Sequence, residues 1–197
     1  MEFTIPIQNF NPQNMRVATP TTHGDKPLAP ISYHDGVNTF TSLTILLPPL
    51  PIKSYDSATG RLVLSLSGHA STTAKLQSIQ DTLISTTIHS QRTWFVTERA
   101  KETDEIRSGF QPFLDHNTIQ LYCPLSSSNG TPGQNDVQIY SKGVWSRGVT
   151  NASLFQVGSP LRIAVKLQGI SFHTQPVTGV WTGRFRVQHR ILAILKP

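Results

Sequence analysis

Arg184, Arg186 and Arg190 stand at alternate positions of RFRVQHRILAIL (184–195), interleaved with Phe185, Val187 and Ile191. Arg162 and Lys166 stand the same way in LRIAVKLQGISF (161–172), against Leu161, Ile163, Val165 and Leu167. On extended backbone alternate residues share a face, so each segment reads as a strand with one apolar and one basic-polar face. Paired antiparallel, the two strands would lie ~4.8 Å apart and form one cationic surface two strands wide. Like charges set opposite one another are unfavourable unless an anion lies over them. The chemistry these residues suit is the capture of a polyanion through its phosphates.

Aromatic residues accompany the cations. Lys142 and Arg147 flank Trp145, Phe172 closes the first strand, and Trp181 lies in the connection 173–183. An aromatic ring in a basic setting can stack on an unpaired base, worth ~1–3 kcal/mol per base. Unpaired bases reach such rings while the backbone tracks the charges, which favours single strands over duplexes. The candidate binding residues are therefore Lys142, Trp145, Arg147, Arg162, Lys166, Phe172, Trp181, Arg184, Arg186 and Arg190. The expected partner is single-stranded DNA, with RNA an open alternative. For Trp145 and Trp181 the competing reading is a loop anchor packed on the end of a barrel.

Other chemistries find little support. No phosphate-binding glycine loop, dinucleotide fingerprint or nucleophile elbow occurs. The histidines at 23, 34, 69, 89, 116, 173 and 189 are scattered, and none forms the close pair with a carboxylate that a helix-borne metal site needs. His34 with Asp35 and Asp115 with His116 are adjacent in sequence, so on a strand they point to opposite faces and make poor acid–base partners. The single Cys123 excludes an intramolecular disulfide and a cysteine-based zinc site. No catalytic residue, metal or cofactor is expected, and no enzymatic activity.

The elements that position these residues follow from pattern. Residues 1–36 carry Pro6, Pro12, Pro20, Pro27 and Pro30 and read as an irregular arm. Strands are expected at 37–47, 61–68, 117–123, 137–145, 161–172 and 184–195. Leu76, Ile79 and Leu83 recur at helical spacing, giving one helix over 72–96 capped by Ser71 or Thr72. Residues 98–108 read as a solvated loop or helix extension, and 126–136 as a long loop. Two strands, a helix and four strands with short connections suit a mainly β fold, a small closed or nearly closed barrel with one helix. A jelly-roll β-sandwich is the alternative. The domain reading is an arm at 1–36 and a binding domain at 37–197.

Composition agrees. Of 197 residues only 14% are charged, whereas Ser and Thr number 41, which argues against a charged helical bundle. The net charge of +6 is uneven. Residues 137–197 hold eight basic and no acidic residues, while 1–136 hold nine basic and eleven acidic. The positive field therefore belongs to the C-terminal third. No segment approaches 18 uninterrupted apolar residues, so no membrane association is expected. The opening MEFTIPIQNFNPQNM lacks a basic stretch followed by an apolar one, so an intracellular setting is expected.

FQPFLDHNTIQLYC, DVQIYSKG, VGSPLRIAVKLQGISF and RFRVQHRILAIL follow one another after a strand and a helix. This order resembles the OB-fold single-stranded-DNA-binding proteins of short-tailed coliphages and the related proteins of large DNA viruses of eukaryotes. Tyr140-Ser141-Lys142-Gly143 matches their "DSKG"-like turn, and Gly158-Ser159 the lead into a basic strand. The resemblance covers about residues 37–197. It implies an OB-like barrel, sequence-tolerant single-strand binding, and a role in DNA replication or recombination in the nucleus or a viral replication compartment. Replication proteins and further copies of the chain are the candidate protein partners. Those proteins typically end in an acidic tail, whereas residues 137–197 contain no acid, so tail-borne partner recruitment and dimerisation are not expected. The alternative function is a viral capsid or minor virion protein, which the Ser/Thr-rich β composition suits. Capsid arms are usually denser in Arg than residues 1–36, which hold only Arg16 and Lys26.

Overall fold

The alternating segments near the C-terminus form the spine of the structure. In the computed structural model, which describes residues 4–23, 26–95, 100–125, 137–148 and 152–196, the chain is mainly β with one long helix. In chain order the first strands are β1 (Thr4–Pro6), β2 (Met15–Val17), β3 (Thr21–His23), β4 (Lys26–His34), β5 (Thr39–Phe40), β6 (Leu43–Leu46), β7 (Leu50–Asp56) and β8 (Arg61–Ser65). Helices α1 (Ala70–Trp94) and α2 (Thr103–Gly109) follow. The remaining strands are β9 (Phe110–Gln111), β10 (Leu114–Asp115), β11 (Thr118–Tyr122), β12 (Gln138–Ser141), β13 (Val144–Arg147), β14 (Pro160–Thr174) and β15 (Trp181–Leu195). The expected long loop at 126–136 lies outside the described residues.

β14 and β15, 15 residues each, pair antiparallel along nearly their whole length. Register shifts between Ala164 and Val165, Leu167 and Gly169, and Phe172 and Thr174 interrupt the ladder. Such irregularities bend a strand and raise its twist. The other edge of β14 can therefore serve three neighbours in turn: β7 at Pro160–Leu161, β6 at Ala164–Leu167 and β4 at Gly169–Ser171. At Gly169 a Cβ would overlap the Ala29 carbonyl, so only glycine lets β4 approach this closely.

The strand path β10–β11–β8–β7–β14–β15–β12–β13 is open at both ends, so the sheet is not closed into a barrel. A closed barrel would join β11 to β15 by a ladder. One side chain stands at that seam instead: the Tyr122 backbone N–H donates to His189 Nε2 at 3.2 Å. The edge of β15 away from β14 is paired by β9 at Phe185–Arg186 and by β12 at Ala193–Leu195, so on that edge the window at 187–192 has no strand partner among the described residues.

Helix α1 covers the inner face. Leu76 and Ile79 line a small internal cavity together with Ile45, Leu47, Val165 and Leu167 of the sheet. Its buried polar residues anchor the chain that follows. Gln80 Oε1 accepts from Phe113 N at 3.0 Å, and Gln91 exchanges hydrogen bonds with the backbone of Lys101 at 2.8 and 3.0 Å. The expected cap at Ser71 or Thr72 is not found. His69 holds the N-cap position without a side-chain bond, and Thr72 is buried within the first turn. The charged stretch at 98–108 contributes the short helix α2.

Residues 1–36 were expected to be irregular, yet they carry four strands. Proline removes a donor but keeps its acceptor. Pro30 sits inside β4, beside Gly169, and its carbonyl accepts from Ala18 N at 3.0 Å. Ile5, Ile7, Phe10, Ile31 and Tyr33 are buried, and Lys75 on α1 donates to the Phe10 carbonyl.

Candidate nucleic-acid interface

Residues directly opposite each other in a ladder share a face. Lys166 lies opposite Arg190, Ser171 opposite Arg186, and Arg162 opposite Leu195. Arg184 precedes Arg186 by two and so shares its face. The structure thus brings the five predicted strand cations onto the outer face of the β14–β15 ribbon. Arg162, Arg184 and Arg186 are exposed; Lys166 and Arg190 are half-buried. The ion pairs among the described residues are Lys101–Glu105 and His116–Asp115, so no carboxylate neutralises Arg162, Arg184, Arg186 or Arg190 there.

Farther along this face the sheet continues into the β12–β13 hairpin. Its two-residue turn is Lys142-Gly143, with φ of 50° and 81°. Positive φ at both central positions is the hairpin turn whose twist matches the flanking strands. Gly143→Ala is expected to cost about 1 kcal/mol, read as a lowered urea midpoint. The turn leaves Lys142 and Arg147 exposed on an edge hairpin. Trp145 lies opposite Tyr140, Tyr140 beside Leu195, and Leu195 opposite Arg162. One row across the sheet therefore runs from an indole to a guanidinium. Trp145 is 55% exposed, with its ring 5.1 Å from that of Tyr140, so it is held but reachable.

Two expected stacking residues are corrected. Phe172 is fully buried and Trp181 is 2% exposed. Trp181 stacks on Phe95 at 4.9 Å, meets Phe172 and Phe185 edge-on, and donates Nε1–H to the Arg184 carbonyl at 3.0 Å. Their faces belong to the core, so no base can reach them. Trp181 opens β15 rather than lying in a loop.

Two residues that the sequence reading missed complete the site. Lys26 begins β4, and Tyr122 ends β11 with 58% of its surface exposed. With Arg186, Gln188 and His189 they line a groove of about 660 Å³ at the open seam. A signal for Tyr122 existed: NTIQLYC alternates, with Ile119, Leu121 and Cys123 inward. None existed for Lys26, because its segment gave no strand pattern.

The electrostatics agree with positive charge gathered around Lys26, Arg184 and Arg186. The His173 imidazole is held below its ordinary pKa by burial first, then by Lys26, Arg186 and Arg184. His189 is also pushed down, chiefly by burial and further by Arg186, while a hydrogen bond to the Val187 backbone opposes the shift. Neutral His189 can accept the Tyr122 N–H; the doubly protonated ring cannot. Since its folded pKa lies below the unfolded value of about 6.5, its contribution is fully present above that pH and is lost as the pH falls below it. His173 acts in the same direction. The urea midpoint is therefore expected to fall between about pH 7.5 and 5.5, above the range where carboxylates titrate. His189→Gln, which can still accept through Oε1, should flatten part of that fall; a parent midpoint constant over the window would contradict the assignment.

Among the described residues no group of three or more His, Cys, Asp and Glu side chains could hold a metal ion. His116 and Asp115 are 3.8 Å apart and exposed, and His34 bonds Thr39 at 3.1 Å rather than serving a carboxylate. Cys123 is buried, its thiol pushed up to about 12 by burial, which leaves it protonated and unreactive. No helix among the described residues is long and apolar enough to cross a membrane. Comparison with protein-family models, curated proteins and solved structures gives no match. Function is therefore read from the geometry.

Proposed function

We propose that the chain binds single-stranded nucleic acid along the outer face of the β14–β15 ribbon, without catalysing a reaction. The observation that carries this reading is the set of five cations on one sheet face, four of them without a carboxylate among the described residues. A phosphate backbone laid on that face relieves the repulsion between Lys166 and Arg190 and replaces condensed counterions. Trp145, supported by Tyr140, offers a base a flat surface at the hairpin end. Lys142 and Arg147 extend the charge onto that hairpin. Among the described residues no basic helix is presented for a duplex groove: α1 carries Lys75 and Arg92 beside Asp81, and Lys75 is engaged with Phe10. The resemblance to viral OB-fold single-strand binders points the same way, with a role in replication or recombination, single-stranded DNA as ligand and replication proteins as partners.

Competition at fixed low salt tests the reading. Unlabelled oligo-dT, duplex DNA and single-stranded RNA are each titrated against a bound fluorescent oligo-dT. The single strand is expected to displace the probe well below the duplex concentration, and displacement by duplex at equal or lower concentration would overturn the proposal. Trp145→Ala is expected to weaken oligo-dT binding roughly 5- to 100-fold, the range of one stacked base.

A further inference from the structure

The groove at the open seam is asymmetric in its chemistry. On one side Lys26 from β4 and Arg186 from β15 present cations, with the Ser171 hydroxyl between the strands. On the other, Tyr122 of β11 presents a phenol ring that is more exposed than buried. Leu28 adds an apolar surface, and His189 fixes the floor by accepting the Tyr122 N–H. The volume, about 660 Å³, falls in the range of small-ligand sites. A free phosphate would use only the cationic side, and an apolar ligand only the ring. A ligand that satisfies both carries an anion and a flat ring together.

We infer that this groove receives one unpaired nucleotide of the bound strand, with its phosphate held by Lys26 and Arg186 and its base laid against Tyr122. The inference rests on the single-strand binding proposed above and assigns part of that site. Along 187–192 the edge of β15 turned away from β14 leaves room for the base, because neither β9 nor β12 extends along it. The positive field felt by His173 comes from Lys26, Arg186 and Arg184, so the cations act on one small volume. A base within a duplex is stacked on both faces and cannot enter. The N-terminal segment thereby becomes part of the binding surface, since β4 delivers Lys26 across the close approach at Gly169.

The test compares oligo-dT with an abasic deoxyribose-phosphate strand of the same length, in a Trp145→Ala background so that the hairpin ring contributes nothing. The background protein is expected to prefer oligo-dT. Adding Tyr122→Ala should remove that preference, with a loss of roughly 5- to 100-fold on oligo-dT and little change on the abasic strand. Tyr122→Phe should retain it. Lys26→Ala should weaken both strands to a similar extent, because the phosphate it helps Arg186 to hold is present in each. If Tyr122→Ala binds oligo-dT as tightly as the background, the nucleotide site is wrong while single-strand binding stands. If the parent protein binds neither strand at low salt, the functional proposal itself fails, and the nucleotide site with it.

Discussion

Replacing Arg184, Arg186 and Arg190 together by Ala is expected to lower the affinity for oligo-dT on the order of 100-fold or more at low salt, while the protein stays folded. Each of these residues lies on the outer face of β15 and none has a carboxylate partner among the described residues. A charged hydrogen bond to phosphate contributes roughly 1.5–3 kcal/mol, so losing three exceeds a 100-fold effect even after allowance for compensation by neighbouring cations. Folding should change little: Arg184 and Arg186 are exposed, where substitutions usually move stability by within about 0.5 kcal/mol, and Arg190 is only half-buried. Arg190 faces Lys166 across the ladder, so its removal also relieves a like-charge contact. Filter binding paired with a urea midpoint separates the two quantities. A triple variant that binds as tightly as the parent would place the site off this ribbon.

The second large effect lies in the core. Trp181→Ala is expected to destabilise the fold by roughly 3–5 kcal/mol, the cost of truncating a large buried aromatic side chain. The indole fills the space between Phe95, Phe172 and Phe185, and its N–H is bonded to the Arg184 carbonyl. That bond fixes the backbone where the cationic part of β15 begins. The variant should therefore lose oligo-dT binding only because it unfolds. A Trp181→Ala protein with an unchanged urea midpoint and weakened binding would mean that the indole is a base platform after all, against its burial.

The cationic ribbon was legible because solvent on one face and core on the other impose a period of two on both strands. Phe172 and Trp181 were misread because Phe95, just past the end of α1, packs on both from far away in sequence, and Phe185 of β15 closes over Phe172 from the facing strand. Prolines misled the reading of residues 1–36. A proline lacks only its donor, and Pro30 keeps a carbonyl that β4 uses. The irregularities of the β14–β15 ladder were invisible because the apolar pattern on either side of each one does not reveal where the register shifts. Their consequence, three successive neighbours for one strand, is a tertiary property. The open seam was hidden for a similar reason: whether β11 and β15 join depends on how far the sheet coils, and no local pattern encodes that. The helix was read within two residues at each end from the spacing of Leu76, Ile79 and Leu83.

The most direct measurement is the dependence of oligo-dT affinity on salt. Five phosphates held by Arg162, Lys166, Arg184, Arg186 and Arg190 give a slope of log K against log salt of about −3.5, at roughly −0.7 per contact on a single strand. The Arg184, Arg186 and Arg190 triple variant should fall to about −1.4. A parent slope near zero, or the same slope in parent and variant, would contradict single-strand binding on the β14–β15 face.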